Sequence, residues 1–320
     1  MTTISISQSS SLARRSVLTL ADLSREEIRT TLDLAKTLKR DYTPFADALK
    51  QRAVVLLFEK PSLRTRVSLE IGIAKLGGSC VYLDHQGSPI GQRETIADYG
   101  RNLERWADAL VCRVFHHHTL TELQRWTKVP IVNALCDAHH PCQILADALT
   151  LEENGIDLSS MRLAWLGDGN NVCHSLMQLT ALFGGHMVVA TPDDCKPDAA
   201  WVARTSELAS ATGARFTYTS DARAIAGCDA VYTDAWISMG QSDSATKKAS
   251  MLPYQVTDAT MKLAGQNALF MHCLPAHRGE EVLDSVMDSP QSVVFDQAEN
   301  RMHAQNALLL QLLGADKHAS

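Results

Sequence analysis

The feature of this sequence that most constrains its fold is a series of short apolar runs that alternate with segments of helical periodicity. The runs have the length and the aliphatic, partly β-branched composition of strands that are buried on both faces. In the first half of the chain they lie at residues 53–58, 81–83, 109–114 and 130–134. Strands that alternate with helices form parallel sheets covered by helices. The pattern therefore predicts an α/β fold.

A second series of apolar runs follows a long helical stretch at residues 141–153. These runs lie at residues 163–166, 187–190, 216–219, 230–233 and 268–274. Because a chain of 320 residues exceeds the size at which one hydrophobic core usually stops growing, we expect two domains.

The predicted division places a first domain at residues 1–150 and a second at residues 151–297. Each is expected to be a parallel β-sheet flanked by helices, with interdomain helices linking the two. The C-terminal segment, residues 298–320, is predicted to form a helix to about residue 313 and to pack back on the first domain. Two segments, residues 85–93 and 238–254, lack a regular pattern and are expected to be binding loops.

Charge and composition exclude several classes of protein. A net charge of −6 argues against non-specific binding to nucleic acid, which requires a basic surface. No apolar run approaches the roughly 20 residues that span a bilayer, so we expect no membrane contact. The eight cysteines form no CxxC pair, which indicates a reducing compartment. We therefore expect a cytoplasmic location.

One strand of the first series leads into a polar loop with the features of an anion site. The run at residues 53–58 continues into Glu59-Lys60-Pro61-Ser62-Leu63-Arg64-Thr65-Arg66, and a helical pattern follows. The backbone N–H groups and the dipole at a helix N-terminus attract anions, and hydroxyl and guanidinium groups there add donors. A phosphate group fits such a site. The alternative is a plain helix cap at Ser62 with solvated arginines.

Several motifs carry a resemblance to a known family. The loop FEKPSLRTR resembles the phosphate loop of the aspartate and ornithine carbamoyltransferases, and His139-His140-Pro141-Cys142-Gln143 resembles their HPxQ signature. Further similar stretches are Gly167-Asp168-Gly169-Asn170-Asn171, Thr233-Asp234-Ala235-Trp236-Ile237-Ser238-Met239-Gly240, His272-Cys273-Leu274-Pro275 and Ala298-Glu299-Asn300-Arg301. They follow the family order over nearly the whole chain.

The resemblance implies an enzyme that transfers the carbamoyl group of carbamoyl phosphate to the δ-amine of L-ornithine, giving L-citrulline and phosphate. The residues that it assigns to carbamoyl phosphate are Ser62, Leu63, Arg64, Thr65, Arg113, His140, Gln143, Cys273, Leu274 and Arg301. The residues that it assigns to ornithine are Asn171, Asp234, Ser238 and Met239. The catalytic roles fall to Cys273, Asp234, His140 and Arg113.

The chemistry of this transfer needs an oxyanion donor and a proton acceptor. Attack on the carbamoyl carbon builds negative charge on its oxygen, which a donor such as His140 stabilises. A δ-amine with a pKa of about 10.4, like that of lysine, arrives protonated and must lose a proton before it attacks. We hypothesise that Asp234 and Cys273 act as a coupled pair that steers the amine and takes this proton, with Cys273 not a covalent nucleophile.

Two residues depart from the family pattern. Leu63 stands where threonine is usual, which removes a hydroxyl donor to the phosphate, and Pro89 stands where many relatives have a glutamine lent to the neighbouring subunit. The resemblance implies a homotrimer, or a multiple of it, and no cofactor. No metal ion is expected, because the three neighbouring histidines at 116–118 would rarely converge on one ion.

Three other functions stay open on the sequence alone. A sister transferase acting on putrescine or an acylated ornithine would share the phosphate loop, although Asp234 with Ser238 and Met239 favours free ornithine. A phosphometabolite-binding or regulatory protein without turnover has only Leu63 as a hint. A nucleotide-dependent dehydrogenase rests only on the turn at residues 167–169, which lacks the third glycine of a dinucleotide loop.

Overall fold

The computed structural model describes residues 12–237 and 245–316. These residues form two compact units. The first contains residues 12–18, 22–134 and 302–316, and the second contains residues 19–21, 135–237 and 245–301. Within the described ranges, no helix combines the length and the apolar character that crossing a membrane requires.

The first unit is built on a four-stranded sheet with the order β2-β1-β3-β4. Its strands are β1 (Ala53–Phe58), β2 (Ser79–Asp84), β3 (Ala109–Arg113) and β4 (Ile131–Leu135). Strand β1 pairs in parallel with both β2 and β3, and five of its six residues are buried. Strands β1 and β3 are buried almost throughout, and β2 at the edge is partly exposed. The sequence predicts all four strands to within three residues.

Helices of the first unit cover this sheet. They are α1 (Arg25–Arg40), α2 (Leu63–Lys75), α3 (Ile96–Leu103) and α4 (His117–Arg125). Helix α1 begins with a capping box in which Ser24 and Glu27 satisfy each other's backbone N–H groups. Its apolar stripe, which includes Ile28 and Leu32, is fully buried. The segment at residues 85–93 contains no regular structure, as predicted.

The second unit contains a five-stranded parallel sheet with the order β7-β6-β5-β8-β9. Its strands are β5 (Arg162–Leu166), β6 (His186–Ala190), β7 (Arg215–Thr219), β8 (Ala230–Thr233) and β9 (Leu269–His272). Side chains such as Val188, Val231 and Phe270 form its core against the covering helices. The predicted strands and the two-domain α/β class are confirmed.

The described helices of the second unit are α5 (Pro141–Glu153), α6 (Asn171–Phe183), α7 (Ala199–Thr212), α8 (Ala245–Met251), α9 (Asp258–Ala264), α10 (Asp284–Met287) and the start of α11 (Val294–Leu312). Every residue of α5 from Pro141 to Leu151 is buried. The unit boundary precedes α5, whereas the sequence-based division at residue 150 leaves most of this helix in the first domain.

Two predicted boundaries differ from the structure. The segment predicted to be irregular at residues 238–254 contains α8 and a 3-10 turn at Leu252–Tyr254, because Ala, Lys and Met residues support a helix without apolar periodicity. Helix α11 begins at Val294, one turn before the predicted start at residue 298. Its C-terminal part packs within the first unit, where Thr31 Oγ1 donates to Gln311 Oε1 at 2.6 Å.

Both sheets reverse their strand order at one place. In the first unit the chain moves outward from β1 to β2 on one side and from β3 to β4 on the other, so the reversal lies between β1 and β3. In the second unit the reversal lies between β5 and β8. Helices leave the carboxyl ends of neighbouring strands in opposite directions at such a point, and the crevice between them is where open α/β sheets bind ligands.

Candidate active site

The predicted phosphate loop follows β1 and leads into α2, at the reversal point of the first sheet. Ser62 is the N-cap of α2: its side chain accepts from Thr65 N at 3.3 Å, and its hydroxyl donates to Thr65 Oγ1 at 3.0 Å. Leu63, at the first helical position, is 74% exposed. Its apolar side chain therefore adds no donor to the anion site, and the helix end and its polar residues must serve instead.

Arg113 ends β3 directly beside this loop. It is paired with Phe58 in the register of β1 and β3, and Glu59 N donates to its carbonyl oxygen at 2.8 Å. The Arg113 side chain is buried. The structure therefore brings together Ser62, Thr65 and Arg113 around the carboxyl ends of two adjacent strands.

Glu59 is a buried residue of this region to which the sequence assigned no role. Its carboxylate accepts from Ile90 N at 2.8 Å and from Phe115 N at 2.7 Å. It therefore ties the irregular segment at residues 85–93 and the chain after Arg113 to the end of β1. Its place inside the FEKPSLRTR motif was the one available signal.

Arg64 and Arg66 differ in their surroundings. Arg66 is exposed, and its guanidinium pairs with Glu70 at 2.9 Å and stacks on the Tyr82 ring with its Cζ 3.8 Å from the centroid. Arg64 is half-buried on the first turn of α2. Both guanidinium groups were predicted to bind the anion. The Arg66 guanidinium is paired instead with Glu70, one turn further along the same helix.

In the second unit, His140, Gln143 and Arg301 meet in a buried cluster. His140 and Gln143 lie one turn apart at the start of α5, and Arg301 lies on α11. Arg301 Nη1 donates to Gln143 Oε1 at 2.5 Å and lies 3.3 Å from His140 Nε2. The backbone of His140 is fixed by α6, because His140 N donates to Ser175 Oγ at 2.9 Å. Three residues predicted to contact the carbamoyl group are thus adjacent.

Asp147, which the sequence analysis missed, holds the other end of the Gln143 amide. Gln143 Nε2 donates to Asp147 Oδ1 at 2.8 Å, and Gln297 Nε2 donates to the same oxygen at 2.9 Å. The Tyr232 hydroxyl donates to Asp147 Oδ2 at 3.0 Å. Burial raises the pKa of Asp147 to about 6, although these three hydrogen bonds act in the opposite direction.

Asp234 and Cys273 form a hydrogen-bonded pair at the ends of β8 and β9. The Cys273 thiol donates to Asp234 Oδ1 with an Sγ–Oδ1 distance of 3.0 Å, and Asn170 Nδ2 donates to Asp234 Oδ2 at 2.8 Å. Burial, and then the neighbouring charge of Asp234, raise the pKa of Cys273 well above its ordinary value. The thiol is therefore protonated at neutral pH, which agrees with its role as donor in the pair.

The amide that donates to Asp234 belongs to Asn170, and Asn171 has another partner. Its amide donates to the carbonyl oxygen of Cys136 at 2.6 Å, whereas the neighbouring Asn170 both caps α6 and contacts Asp234. Asp168, in the same turn after β5, forms an ion pair with Lys247 of α8 at 2.7 Å. The sequence analysis missed both Asn170 and Lys247.

The remaining predicted residues are Leu274, Ser238 and Met239. Leu274 follows Cys273, and its N–H donates to His272 Nδ1 at 2.8 Å. Ser238 and Met239, which the resemblance assigns to ornithine, lie outside the described residues.

One cluster at these strand ends has the residue types of a metal site. Ligand atoms of Asp234, His272 and Cys273 all lie within 4.8 Å of one another. However, His272 Nδ1 accepts from Leu274 N, and His272 Nε2 lies 3.3 Å from Glu281 Oε1. The Leu274 N–H thus occupies His272 Nδ1, His272 Nε2 faces Glu281, and within the cluster the Cys273 thiol donates to Asp234.

Comparison with known proteins agrees with this arrangement. A family model described as the carbamoyl-P binding domain of aspartate/ornithine carbamoyltransferase matches residues 15–153. A second, described as the Asp/Orn binding domain of the same family, matches residues 159–312. The two matches together cover nearly the whole chain.

Individual relatives align over almost their full length. The ornithine carbamoyltransferase of Shewanella oneidensis is 50% identical over 296 residues, which cover 92% of this chain and 98% of that protein. A solved structure of ornithine carbamoyltransferase from Pyrococcus furiosus is 43% identical with a TM-score of 0.90, covering 95% of this chain and 98% of that one. A structure from Thermus thermophilus is 41% identical with a TM-score of 0.84, covering 93% and 98% of the two chains. The protein belongs to the aspartate/ornithine carbamoyltransferase family.

Proposed function

We propose that the protein transfers the carbamoyl group of carbamoyl phosphate to the δ-amine of L-ornithine, forming L-citrulline and phosphate. The single observation that carries the proposal is that Cys273 and Asn170 both donate to the Asp234 carboxylate. Asn170 and Asp234 follow β5 and β8, the two strands that border the reversal point of the second sheet. The pair offers one carboxylate and neutral donors, which suits a substrate that carries an ammonium group. The family membership and the names of the relatives support the same reaction.

Carbamoyl phosphate is proposed to bind with its phosphate at the N-terminus of α2. Ser62, Leu63, Arg64, Thr65 and Arg113 would supply the hydroxyl, guanidinium and backbone donors. Leu63 can contribute only its backbone N–H, because its exposed side chain is apolar and has no donor. The first domain in the predicted division is therefore the proposed carbamoyl phosphate-binding domain, and the second is the proposed ornithine-binding domain.

The carbamoyl group is proposed to meet His140, Gln143 and Arg301, with Cys273 and Leu274 lining the same site. The cluster is buried, so its donors act in a medium of low dielectric where hydrogen bonds to a developing oxyanion are strong. Gln143 uses its Oε1 for Arg301 and its Nε2 for Asp147. The guanidinium and imidazole are then the groups that face negative charge on the carbamoyl oxygen.

The amine must be deprotonated before it attacks. In the proposed step, Cys273 Sγ takes a proton from the δ-ammonium while its own thiol proton passes to Asp234, so that the net acceptor is the carboxylate. The hydrogen bond from Cys273 to Asp234 already has the direction that this transfer requires. Cys273 forms no covalent bond to the substrate. Asn171, Ser238 and Met239 are proposed to hold the amino-acid end of ornithine, as the resemblance implies.

The transfer then balances as follows. The amine lone pair forms the new C–N bond at the carbamoyl carbon, negative charge collects on the carbamoyl oxygen, and the C–O bond to phosphate breaks. The phosphate leaves with the bonding electron pair and accepts the second amine proton, which the nitrogen loses as it becomes an amide. The arginines of the α2 pocket compensate the charge of the phosphate. Arg113 thus serves both binding and leaving-group stabilisation. The reaction needs no electron transfer, and no cofactor is proposed.

A homotrimer, or a multiple of it, is the proposed assembly. On α2, the exposed apolar residues Leu63, Val67 and Ile71 follow one another at intervals of four, so they form a stripe on one face of the helix. We call these three residues the α2 stripe. A second copy of the chain is the proposed occupant, because closed symmetric assemblies bury such faces. Light scattering should give a trimer mass, and Ile71→Lys should reduce it.

The proposed location is the cytoplasm. All eight cysteines are free thiols, six of them buried, which supports a reducing environment. Proposed partners are limited to the two small substrates and further copies of the chain, with neither nucleic acid nor a membrane among them.

The test is a substrate panel with the purified protein. Carbamoyl phosphate should yield citrulline with ornithine, whereas putrescine, an acylated ornithine and aspartate should release phosphate no faster than buffer. Preferred carbamoylation of any of those three would contradict the proposal.

Calorimetry tests the phosphate loop separately. Arg64→Ala should abolish measurable binding of carbamoyl phosphate, while Arg66→Ala, which removes the Glu70-paired arginine, is the matched control and should leave binding nearly unchanged. Equal losses for the two variants would overturn the assignment of Arg64.

A further inference from the structure

Asp147 lies four residues after Gln143 on α5, where residues at this spacing share a face. We propose that Asp147 is a positioning residue, whose carboxylate fixes the orientation of the Gln143 amide so that Oε1 remains directed at Arg301. The inference rests on the function proposed above, in which Gln143 and Arg301 meet the carbamoyl group.

The chemistry of the partners determines which end of the Gln143 amide faces which group. An ionised carboxylate can only accept hydrogen bonds, and a guanidinium can only donate them. The observed arrangement satisfies both, with Nε2 donating to Asp147 at 2.8 Å and Oε1 accepting from Arg301 at 2.5 Å. If the Gln143 amide were rotated by half a turn, its oxygen would face the Asp147 carboxylate. Its NH₂ group would then face the Arg301 guanidinium. Asp147 and Arg301 therefore select one of the two orientations.

Asp147 orients a second amide in the same way. Gln297 Nε2 donates to Asp147 Oδ1 at 2.9 Å, and Gln297 Oε1 accepts from the backbone N–H of His272 at 2.9 Å. His272 directly precedes Cys273. One carboxylate thus sets the direction of two glutamines, of which one reaches Arg301 and the other reaches the strand end that carries Cys273.

The remaining oxygen of Asp147 is also occupied. The hydroxyl of Tyr232, a fully buried residue of β8, donates to Asp147 Oδ2 at 3.0 Å. Gln143, Gln297 and Tyr232 all donate to the carboxylate, so they favour its ionised form in a fully buried position. A buried charge of this kind is costly unless it is fully hydrogen-bonded, and an apolar residue would fill the space at lower cost. The arrangement is therefore better explained by orientation than by stability.

A double-mutant cycle separates positioning from a purely structural role. Asp147→Ala should lower kcat about 100-fold, the scale of a misplaced catalytic contact, with the KM for ornithine changed less than about threefold. In the Gln143→Ala background the same substitution should cost almost nothing further, because the side chain that reaches Arg301 is absent and Gln297 is still held by the His272 N–H. A structural role would instead give losses that multiply.

Asp147→Asn keeps the volume of the side chain and serves if the alanine variant does not fold. Its Oδ1 can still accept from both glutamines, and its NH₂ can face the Tyr232 hydroxyl, which can rotate to accept. We expect a kcat within about tenfold of the unmodified protein, and this smaller loss should also vanish in the Gln143→Ala background.

Thr150→Val is the matched control. Thr150 is fully buried on the same helix, about one turn beyond Asp147, and accepts from Asn300 Nδ2 of α11 at 2.9 Å. Its loss should lower the melting temperature without changing kcat. Independent losses in the Asp147 and Gln143 cycle, or an unchanged kcat in Asp147→Ala, would overturn the proposal.

Crystal structures distinguish failure of this inference from failure of the proposed function. Absence of citrulline formation by the unmodified protein would refute the function, yet the orientation of Gln143 would still be readable. In Asp147→Ala the Oε1 to Arg301 contact should be lost or shared between two amide orientations. Retention of the single orientation seen here would refute the positioning role.

Discussion

Replacement of Glu59 by glutamine tests whether one buried carboxylate stabilises the loops around the proposed anion site of the first unit. Glu59 Oε1 accepts from Ile90 N at 2.8 Å, and Oε2 accepts from Phe115 N at 2.7 Å. Glutamine has nearly the same shape but only one oxygen. In Glu59→Gln, one of the two backbone N–H groups must therefore face an NH₂ group, which cannot accept.

The magnitude follows from these two contacts. A hydrogen bond to a charged group contributes about 1.5–3 kcal/mol, and a buried donor left without an acceptor costs a similar amount. Because one bond is lost and the other loses its charge, we expect Glu59→Gln to destabilise the fold by about 3 kcal/mol. For a chain of 320 residues, with an unfolding entropy of about 2.1 cal/mol/K per residue, that corresponds to a fall in melting temperature of about 4–5 °C.

Carbamoyl phosphate binding should weaken together with stability. The two N–H groups belong to the segment at residues 85–93 and to the chain just after Arg113, so their release loosens the residues that flank the anion site. Thermal unfolding and calorimetry with carbamoyl phosphate measure the two effects. Glu70→Gln is the control, because Glu70 makes a partly exposed pair with Arg66 that solvent screens. Our reasoning fails if Glu59→Gln is no more damaging than Glu70→Gln.

Three further predictions follow from the site. Leu63→Thr should tighten carbamoyl phosphate binding about fivefold, which is the effect of about one added hydrogen bond. Calorimetry that shows no gain in affinity would contradict the expectation that a threonine hydroxyl at this position donates to the phosphate. Cys273→Ser should lower kcat/KM for ornithine while carbamoyl phosphate affinity is kept, and mass spectrometry of the unmodified protein during turnover should reveal no carbamoyl-thioester. Asp147 has a pKa of about 6 in the folded protein, above the ordinary 3.8, so the folded state binds the additional proton between these values. Its contribution to stability should therefore fall by about 3 kcal/mol as pH rises from about 4 to about 6. Asp147→Asn should lack this fall when urea unfolding is compared at the two pH values.

The strands were predictable because strands buried on both faces leave a simple trace in the sequence. The buried strands β1 and β3 coincide with apolar runs, whereas the edge strands β2 and β7 are partly exposed and contain polar residues. Helix α8 was missed because its sequence has no apolar periodicity, and of its residues only Met251 is buried. Good helix formers and one buried contact were sufficient to form it.

The candidate site was predictable where its residues lie within one contiguous motif. Ser62 and Thr65 are three residues apart and meet through an ordinary helix cap. Asp147 was not predictable, because its partners Tyr232 and Gln297 are 85 and 150 residues away in the chain. Without the fold, no local pattern distinguishes this aspartate from a surface residue of a helix.

Adjacent residues of one motif can contact different groups. The motif assigns Asn171 to ornithine, and Asn170, to which the sequence assigned no role, is the residue whose amide donates to Asp234. Asn170 precedes the first turn of α6 as its cap, whereas Asn171 is the first helical residue and turns toward Cys136. A rotation of about 100° per helical residue is enough to redirect neighbouring side chains.

The α2 stripe runs along the same helix whose N-terminus forms the proposed phosphate site, since Ser62 caps the helix and Leu63 begins both features. Helix α2 would then bind a ligand at its N-terminus and a neighbouring subunit along its side. By thermodynamic reciprocity, any factor by which assembly tightens the anion is the factor by which the anion tightens assembly. Dilution of the protein would thus change its affinity for carbamoyl phosphate. The concentration of carbamoyl phosphate would in turn change the fraction of chains that are assembled.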